Sequence, residues 1–342
     1  MPSPLRVALF GLGAIGGAVA RALLQMDGVD IVCAIDTDPK KTGRNLHPVV
    51  RLRGQSRITV TDDPVTALRG AAPHVVIHCT GSRLSEIAPQ LRMVIEAGIP
   101  CVSSSEEMAF PLMSDDRVAA DLDALARARG VAIIGAGINP GFVMDALALA
   151  LSGASRRISH IAIERVLDPL SRRKAFQKKV GIGLGWRQAC RQLELGRLGH
   201  VGLRHSAMLV ARGLGWEHCD LVEEVSILCT GDVPLSESRR PRRTPEADAE
   251  VVGMHQVLTG SVEGHEVLHL EMLMAAGVEA PHDAIKIQGD PDLNLWVQGG
   301  VPGDAATVAC LLNAIPQAVA PPRPGMLTLL DLPLRRSWGP PV

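Results

Sequence analysis

The chain has 342 residues, 46% hydrophobic and 21% charged, with a formal net charge of −1. That length suits two domains of ~100–200 residues each, and the composition excludes both a disordered chain and a protein that grips nucleic acid by bulk positive charge. Four Phe, four Trp and no Tyr imply an aliphatic core and a mechanism without a phenol. The seven cysteines are scattered and odd in number, which argues for reduced thiols rather than a disulfide framework. The first residues, MPSP, run into a short strand without a basic segment and a long apolar stretch. No run of ~18 apolar residues suggests a membrane span. These features predict a cytoplasmic protein with no nucleic-acid or membrane partner.

The first 140 residues read as alternating strands and helices. LRVALF (5–10) is a strand, GLGAIGG (11–17) follows at once, and AVARALLQM continues as helix. Strands are predicted at 29–35, 57–61, 74–79, 101–103 and 131–134, with helices over 84–97 and 118–129. Such alternation indicates a doubly wound parallel sheet of Rossmann type, an α/β fold.

GxGxxG alone is a weak signal, but Gly11, Gly13 and Gly16 stand between a strand and a helix, and Asp36 closes the next strand. In that context the first glycine allows a tight turn, the second lets the backbone approach a pyrophosphate, and the third permits close packing of helix on strand. Residues 11–16 (Gly11, Leu12, Gly13, Ala14, Ile15, Gly16) with Asp36 and Thr37 are the predicted dinucleotide site. Asp36 suits the ribose hydroxyls of NAD and repels a 2′-phosphate, while Lys40, Lys41 and Arg44 nearby offer partial compensation. The prediction is NAD(P)H, with NAD favoured and NADP tolerated. In such folds the reacting ring lies beyond the carboxyl ends of the strands. Thr80, Gly81 and Ser82, then Ser103, Ser104, Ser105, Glu106 and Glu107, and finally Asn139 and Pro140 occupy those ends. The serine run with two acids also reads as a helix-capping box.

Beyond Asn139 the rhythm changes. A helix is predicted over 142–151, a strand over 158–166, helices near 187–195 and 203–213, and strands over 221–229, 249–259, 266–274 and 293–297. Successive strands without regular helices predict a second, α+β domain with a mainly antiparallel sheet. The polar stretch 236–250 reads as a solvated loop. An apolar helix within 299–316 needs a surface to cover. The predicted division is therefore 1–140 for dinucleotide binding, 141–300 for substrate binding and dimerisation, and 301–342 as a segment returning to the first domain.

HEVLH (265–269) matches the zinc-protease string HExxH, whose mechanism needs a helix. The surrounding VEGHEVLHLEMLM alternates like a strand, which would set the two histidines roughly 13 Å apart. No metal is predicted.

The blocks GLGAIGGAVARAL, DTDPKKTGRNL, VSSSEEMAFP, GAGINPGFVMD, FQKKVGIGLG, GHVGLRHSAMLVARGLGW, GGVPGDAATVACLLNAIP and PGMLTLLDLP resemble, in order, the 2,4-diaminopentanoate dehydrogenase family and its relatives, the native amine dehydrogenases. These are distant cousins of dihydrodipicolinate reductase. The resemblance spans residues 11–333. It implies NAD(P)-dependent interconversion of an amine with a ketone or aldehyde plus ammonia, by a likewise homodimeric enzyme. An acid of the VSSSEEMAFP block would bind and deprotonate ammonium and assist the steps from carbinolamine to iminium. The block match prefers Glu107, with Glu106 as the alternative, since adjacent helical side chains diverge by about 100°. Phe142, Met144 and Phe176 are candidate pocket residues. By the same resemblance Arg165, Asp168 and Arg173 are candidates for binding an amino-acid carboxylate; surface pairing is the competing reading. His200 and His205 read as structural. The paired-His block and Lys-rich motif of dihydrodipicolinate reductases are missing, and homoserine dehydrogenases carry Lys where this chain has Glu106–Glu107. Two alternatives stand beside an amine dehydrogenase: a true 2,4-diaminopentanoate dehydrogenase acting on an amino acid, and a catalytically silent NAD(P)-binding protein.

Overall fold

β1 (Leu5–Phe10) is an apolar run whose last four residues are buried. In the computed structural model, which describes residues 3–113, 116–230 and 249–338, it leads into α1 (Ala14–Leu23) and β2 (Val29–Ile35). α2 (Leu46–Val49) is capped by Asn45, whose side chain accepts from the His47 N–H. α3 (Pro64–Ala71) is capped by Asp63, with Pro64 where a missing N–H costs nothing. There follow β3 (Val75–His78), α4 (Leu84–Glu96), β4 (Cys101–Ser103), a 3-10 turn at Glu106–Ala109, α5 (Asp116–Arg129) and β5 (Ala132–Gly135).

The chain divides into two compact units, residues 1–142 with 304–342 and residues 143–303. The second holds α6 (Ala146–Ser152), β6 (Ile158–Leu167), α7 (Lys174–Lys179), α8 (Trp186–Glu194), α9 (Leu203–Gly213) and β7 (Asp220–Cys229). It continues through β8 (Val251–Val262), β9 (His265–Ala275), β10 (His282–Gly289) and β11 (Leu293–Gln298). α10 (Gly303–Val319) and β12 (Gly325–Leu327) then complete the first unit.

The first unit's sheet has the order β12-β5-β4-β3-β1-β2, and every pair in it is parallel. A parallel sheet is buried on both faces, and the apolar side chains divide accordingly. Val7, Leu9, Ile77 and Ile134 pack with α1 and with Leu311, Ala314 and Ile315 of α10. Ala8, Phe10, Val76 and Ile133 pack with Leu68 of α3, Leu91 of α4 and Leu122 of α5.

The second unit's sheet runs β11-β10-β6-β9-β8-β7. Only β6 and β9 pair in parallel; the other four pairs are antiparallel. Met254, Leu258, Leu268, Leu270 and Met274 are fully buried, on the sheet that α9 covers. A histidine–glutamate row crosses β8, β9 and β6. His255 Nε2 lies 2.7 Å from Glu271, His269 pairs with Glu271 and Glu266 at 3.7 and 3.5 Å, and His160 meets Glu266 at 3.4 Å.

Several expectations are corrected. Residues 57–61 form no strand: Thr59 and Thr61 make single bridges, to Asn45 and to Ile35, so the alternating run only touches the end of edge strand β2. The helix expected over 142–151 starts at Ala146, because the Asp145 carboxylate caps it there. α2, α3, α7 and β10 were not anticipated. The polar stretch expected as a loop lies outside the described residues over 236–248.

Candidate active site

The turn after β1 is shaped by two steric facts. Gly11 has φ +94°, where a Cβ would lie 2.4 Å from the Cys79 carbonyl oxygen. A Cβ at Gly16 would lie 1.9 Å from the Gly11 carbonyl oxygen, so α1 packs against the turn only with glycine there. Gly13 differs: a Cβ would meet nothing within 4 Å, and as N-cap of α1 it leaves the first N–H groups without a side-chain acceptor. An uncapped helix start facing open space is a site for an anion.

A cavity of about 390 Å³ adjoins this turn, lined by Gly11, Gly13, Asp36, Thr37, Thr80 and Gly81 together with Lys41, Glu86 and Gln90. Asp36 is its best-anchored group. Oδ2 accepts from the Leu12 N–H at 2.7 Å and from Lys41 Nζ at 2.8 Å, and Oδ1 accepts from the Asp38 N–H at 2.9 Å. Burial works to raise its pKa, but the Lys41 ammonium and the two N–H bonds outweigh it and hold the carboxyl below its ordinary value. These residues fit a dinucleotide: an open glycine and free N–H groups for the pyrophosphate, and a fixed carboxylate for ribose hydroxyls.

The serine–glutamate segment sits on the same side of the sheet. The segment is no capping box, because Ser105, the N-cap of the 3-10 turn, makes no side-chain cap bond to it. Ser105 Oγ instead donates to the Ser82 carbonyl at 2.7 Å, and the Glu107 N–H donates to the same oxygen at 3.2 Å. Glu107 Oε2 accepts from the Leu84 N–H at 2.6 Å, so this carboxylate caps α4. In a 3-10 turn neighbouring side chains diverge by about 120°, so Glu106 points elsewhere. Gly135 lets the turn approach β5, since a Cβ there would lie 2.2 Å from the Met108 carbonyl oxygen. The Ser104 N–H donates to the His78 carbonyl. Asn139 and Pro140, joined by a cis peptide bond, are buried and do not line the 390 Å³ cavity.

The profile of the 2,4-diaminopentanoate dehydrogenase C-terminal domain matches residues 142–340. The chain is 30% identical to the 2,4-diaminopentanoate dehydrogenase of Acetoanaerobium sticklandii, with 97% of this chain and 94% of the relative covered. The chain belongs to the 2,4-diaminopentanoate dehydrogenase family. It is thereby an oxidoreductase of the kind acting on CH–NH2 groups. An amine dehydrogenase of Streptomyces virginiae is 23% identical, with 97% of each chain covered. The solved amine dehydrogenase of Mycobacterium smegmatis shares the fold, with a TM-score of 0.81 over 98% of each chain at 24% identity.

The family's C-terminal domain contains most of the remaining candidates. Met144 is fully buried. Phe176 is buried under the Arg172 guanidinium, 4.8 Å from its ring centre. Phe142 ends the first unit and is half-buried. Arg165 is not a surface pairing: it is 3% exposed, donates to the Val301 carbonyl at 2.7 Å and faces Asp283 at 3.4 Å. Asp168 accepts from the Leu170 N–H, capping a short 3-10 turn, and Arg173 is the N-cap of α7. His200 is clamped through its backbone, donating to and accepting from the Gln256 side chain, and His205 lies buried in α9. The HExxH histidines lie on strand β9, not on a helix. Sequence reasoning missed His78 and Gln90. A histidine ending the apolar strand VVIH was the available signal for the first; Gln90 carried none.

Proposed function

We propose that the chain is an NAD(P)H-dependent amine dehydrogenase that aminates a small aliphatic or alicyclic ketone or aldehyde with ammonia, and runs in reverse as an oxidative deaminase. The observation that carries this reading is the Glu107 carboxylate, fixed by the Leu84 N–H beside the wall of the nucleotide cavity. When bound, the nicotinamide supplies the hydride. The chain's own residues do the rest. The uncapped N–H groups of α1 hold the pyrophosphate, and Asp36 receives the ribose hydroxyls, which favours NAD; Lys41 is the cation through which NADP is tolerated.

Glu107 is the reacting carboxylate in this proposal, with Glu106 the alternative. Anchored through Oε2, it uses Oε1 to bind ammonium and takes a proton from it to free ammonia, which adds to the carbonyl carbon. It then returns the proton to the carbinolamine hydroxyl as water leaves and the iminium forms. Its negative charge then favours the cationic iminium that accepts the hydride. A carboxylate held by a backbone N–H needs no reorganisation for these steps. Phe142, Met144 and Phe176 stay the candidate residues for the substrate's apolar part, and the six-stranded sheet of the second unit stays the candidate homodimer surface.

A second reading, a 2,4-diaminopentanoate dehydrogenase with an amino-acid substrate, draws on the family profile and the 30% identical relative. One assay tests both: NADH oxidation with and without ammonia across a panel of ketones and aldehydes that includes 2-amino-4-oxopentanoate. Turnover of apolar carbonyl compounds that requires ammonia supports the first reading, and turnover of the amino acid alone supports the second. No ammonia-dependent turnover on any member refutes both.

A further inference from the structure

His78 is fully buried at the end of β3, in register with Phe10 of β1 and Ser103 of β4. A buried histidine in an apolar strand costs stability unless both ring nitrogens are bonded, and here both are. Nε2 lies 2.8 Å from Gln90 Oε1 and 2.9 Å from Thr80 Oγ1, and Nδ1 lies 3.0 Å from Ser103 Oγ. An amide oxygen only accepts, so Nε2 carries the proton and Nδ1 accepts the Ser103 hydroxyl hydrogen. Ser103 Oγ in turn accepts from the Ser105 N–H at 3.2 Å, and Thr80 Oγ1 donates to Gln90 Oε1 at 2.6 Å. The one Nε2 hydrogen is shared between Gln90 Oε1 and Thr80 Oγ1, while the bonds from Ser103 Oγ to Nδ1 and from the Ser105 N–H to Ser103 Oγ each have one donor and one acceptor. Burial lowers the histidine's pKa to about 4, so the proton arrangement holds through neutral pH.

The two ends of this chain of bonds have different uses. Thr80 and Gln90 line the nucleotide cavity. Ser105 is the N-cap of the turn that carries Glu106 and Glu107, a turn with no side-chain cap of its own.

We propose that His78 is a positioning residue: it bridges the wall of the nucleotide cavity to Ser103, and through the Ser105 N–H it fixes the turn that presents the reacting carboxylate. The role rests on the reading that a carboxylate of this turn reacts. His78 itself touches no reacting atom in this account.

His78→Phe keeps an aromatic ring against Phe10 and makes neither polar bond. Ser103→Ala removes the next link without changing the ring. His78→Asn keeps an amide oxygen within reach of Ser103 and loses the bond to Gln90. Amide hydrogen exchange over residues 104–108 and steady-state kinetics with ammonia are read on all three. In His78→Phe and Ser103→Ala, exchange over 104–108 should speed up by about tenfold or more and kcat should fall by about tenfold or more, since small misplacements of a reacting group are costly. KM for NADH should change by less than about threefold, and His78→Asn should recover part of the lost kcat.

Wild-type exchange over 104–108 in His78→Phe and Ser103→Ala would overturn the proposal, and so would faster exchange with kcat unchanged. If His78→Phe does not fold, Ser103→Ala decides by the same two readouts. Full activity in both Glu106→Gln and Glu107→Gln would instead remove the reading of the carboxylate, an outcome the exchange data do not share.

Discussion

Gly13 and Gly16 belong to one motif and should fail in opposite ways when changed to alanine. A Cβ at Gly16 would stand 1.9 Å from the Gly11 carbonyl oxygen, so α1 has to retreat by about 1.5–2 Å to restore an ordinary contact. Overpacking of that kind costs about 1–3 kcal/mol, which for a unit of this size lowers Tm by about 2–12 °C. A Cβ at Gly13 meets no heavy atom within 4 Å, so Gly13→Ala should lose less than about 1 kcal/mol of stability, the usual difference between these residues at an N-cap. The same methyl projects where a pyrophosphate must approach the backbone. Losing one hydrogen bond to a charged group costs about 1.5–3 kcal/mol, so NADH should bind about 10–150-fold more weakly. Thermal unfolding of the apoprotein and fluorescence titration with NADH measure the two effects separately. Gly13→Ala binding NADH as tightly as the wild type, or Gly16→Ala melting with it, would refute the reasoning.

Two further outcomes follow from the electrostatics. Asp36→Ala removes the acceptor for the ribose hydroxyls and releases Lys41 from its 2.8 Å bond, so NADH affinity should fall by about tenfold or more while NADPH loses less; an unchanged NADH to NADPH ratio in titrations would contradict the role of Asp36. The pKa of His269 is raised, chiefly by the Glu271 carboxylate. Its contribution to stability is therefore full below its ordinary pKa of about 6.5 and is lost as pH rises through the raised folded value. Wild type should melt above His269→Gln at about pH 6, and the gap should close in alkaline buffer; a gap independent of pH would rule this out.

The parts of the fold that could be read from sequence are those where one local rule decides. LRVALF followed by glycine, and HVVIHC between Pro73 and Gly81, are short apolar runs with hard stops, and both became strands of the parallel sheet. β10 was hidden because HDAIKIQG mixes charge into every turn of the pattern. Its Asp283 is buried against Arg165 and its His282 stacks on Trp296 at 3.8 Å, partners that come from other strands. Residues 57–61 misled for the opposite reason, since their alternation is real but only single bridges meet it. At the site, the glycines and Asp36 were legible because strand, turn and helix follow one another in sequence. The capping of α4 by Glu107 joins positions 84 and 107, and the bonds of His78 join 78, 90 and 103. Such links exist only after the sheet has formed.

Ammonia-dependent NADH oxidation by Glu107→Gln and Glu106→Gln tests the central claim most directly. Glutamine at 107 still offers an oxygen to the Leu84 N–H, so the cap of α4 survives and only the charge and the proton acceptor are removed. Turnover of Glu107→Gln should fall by about a hundredfold to ten-thousandfold, with NADH affinity and Tm close to wild type and Glu106→Gln far less affected. A reversed pattern would move the reaction to Glu106, and full activity in both variants would contradict the account.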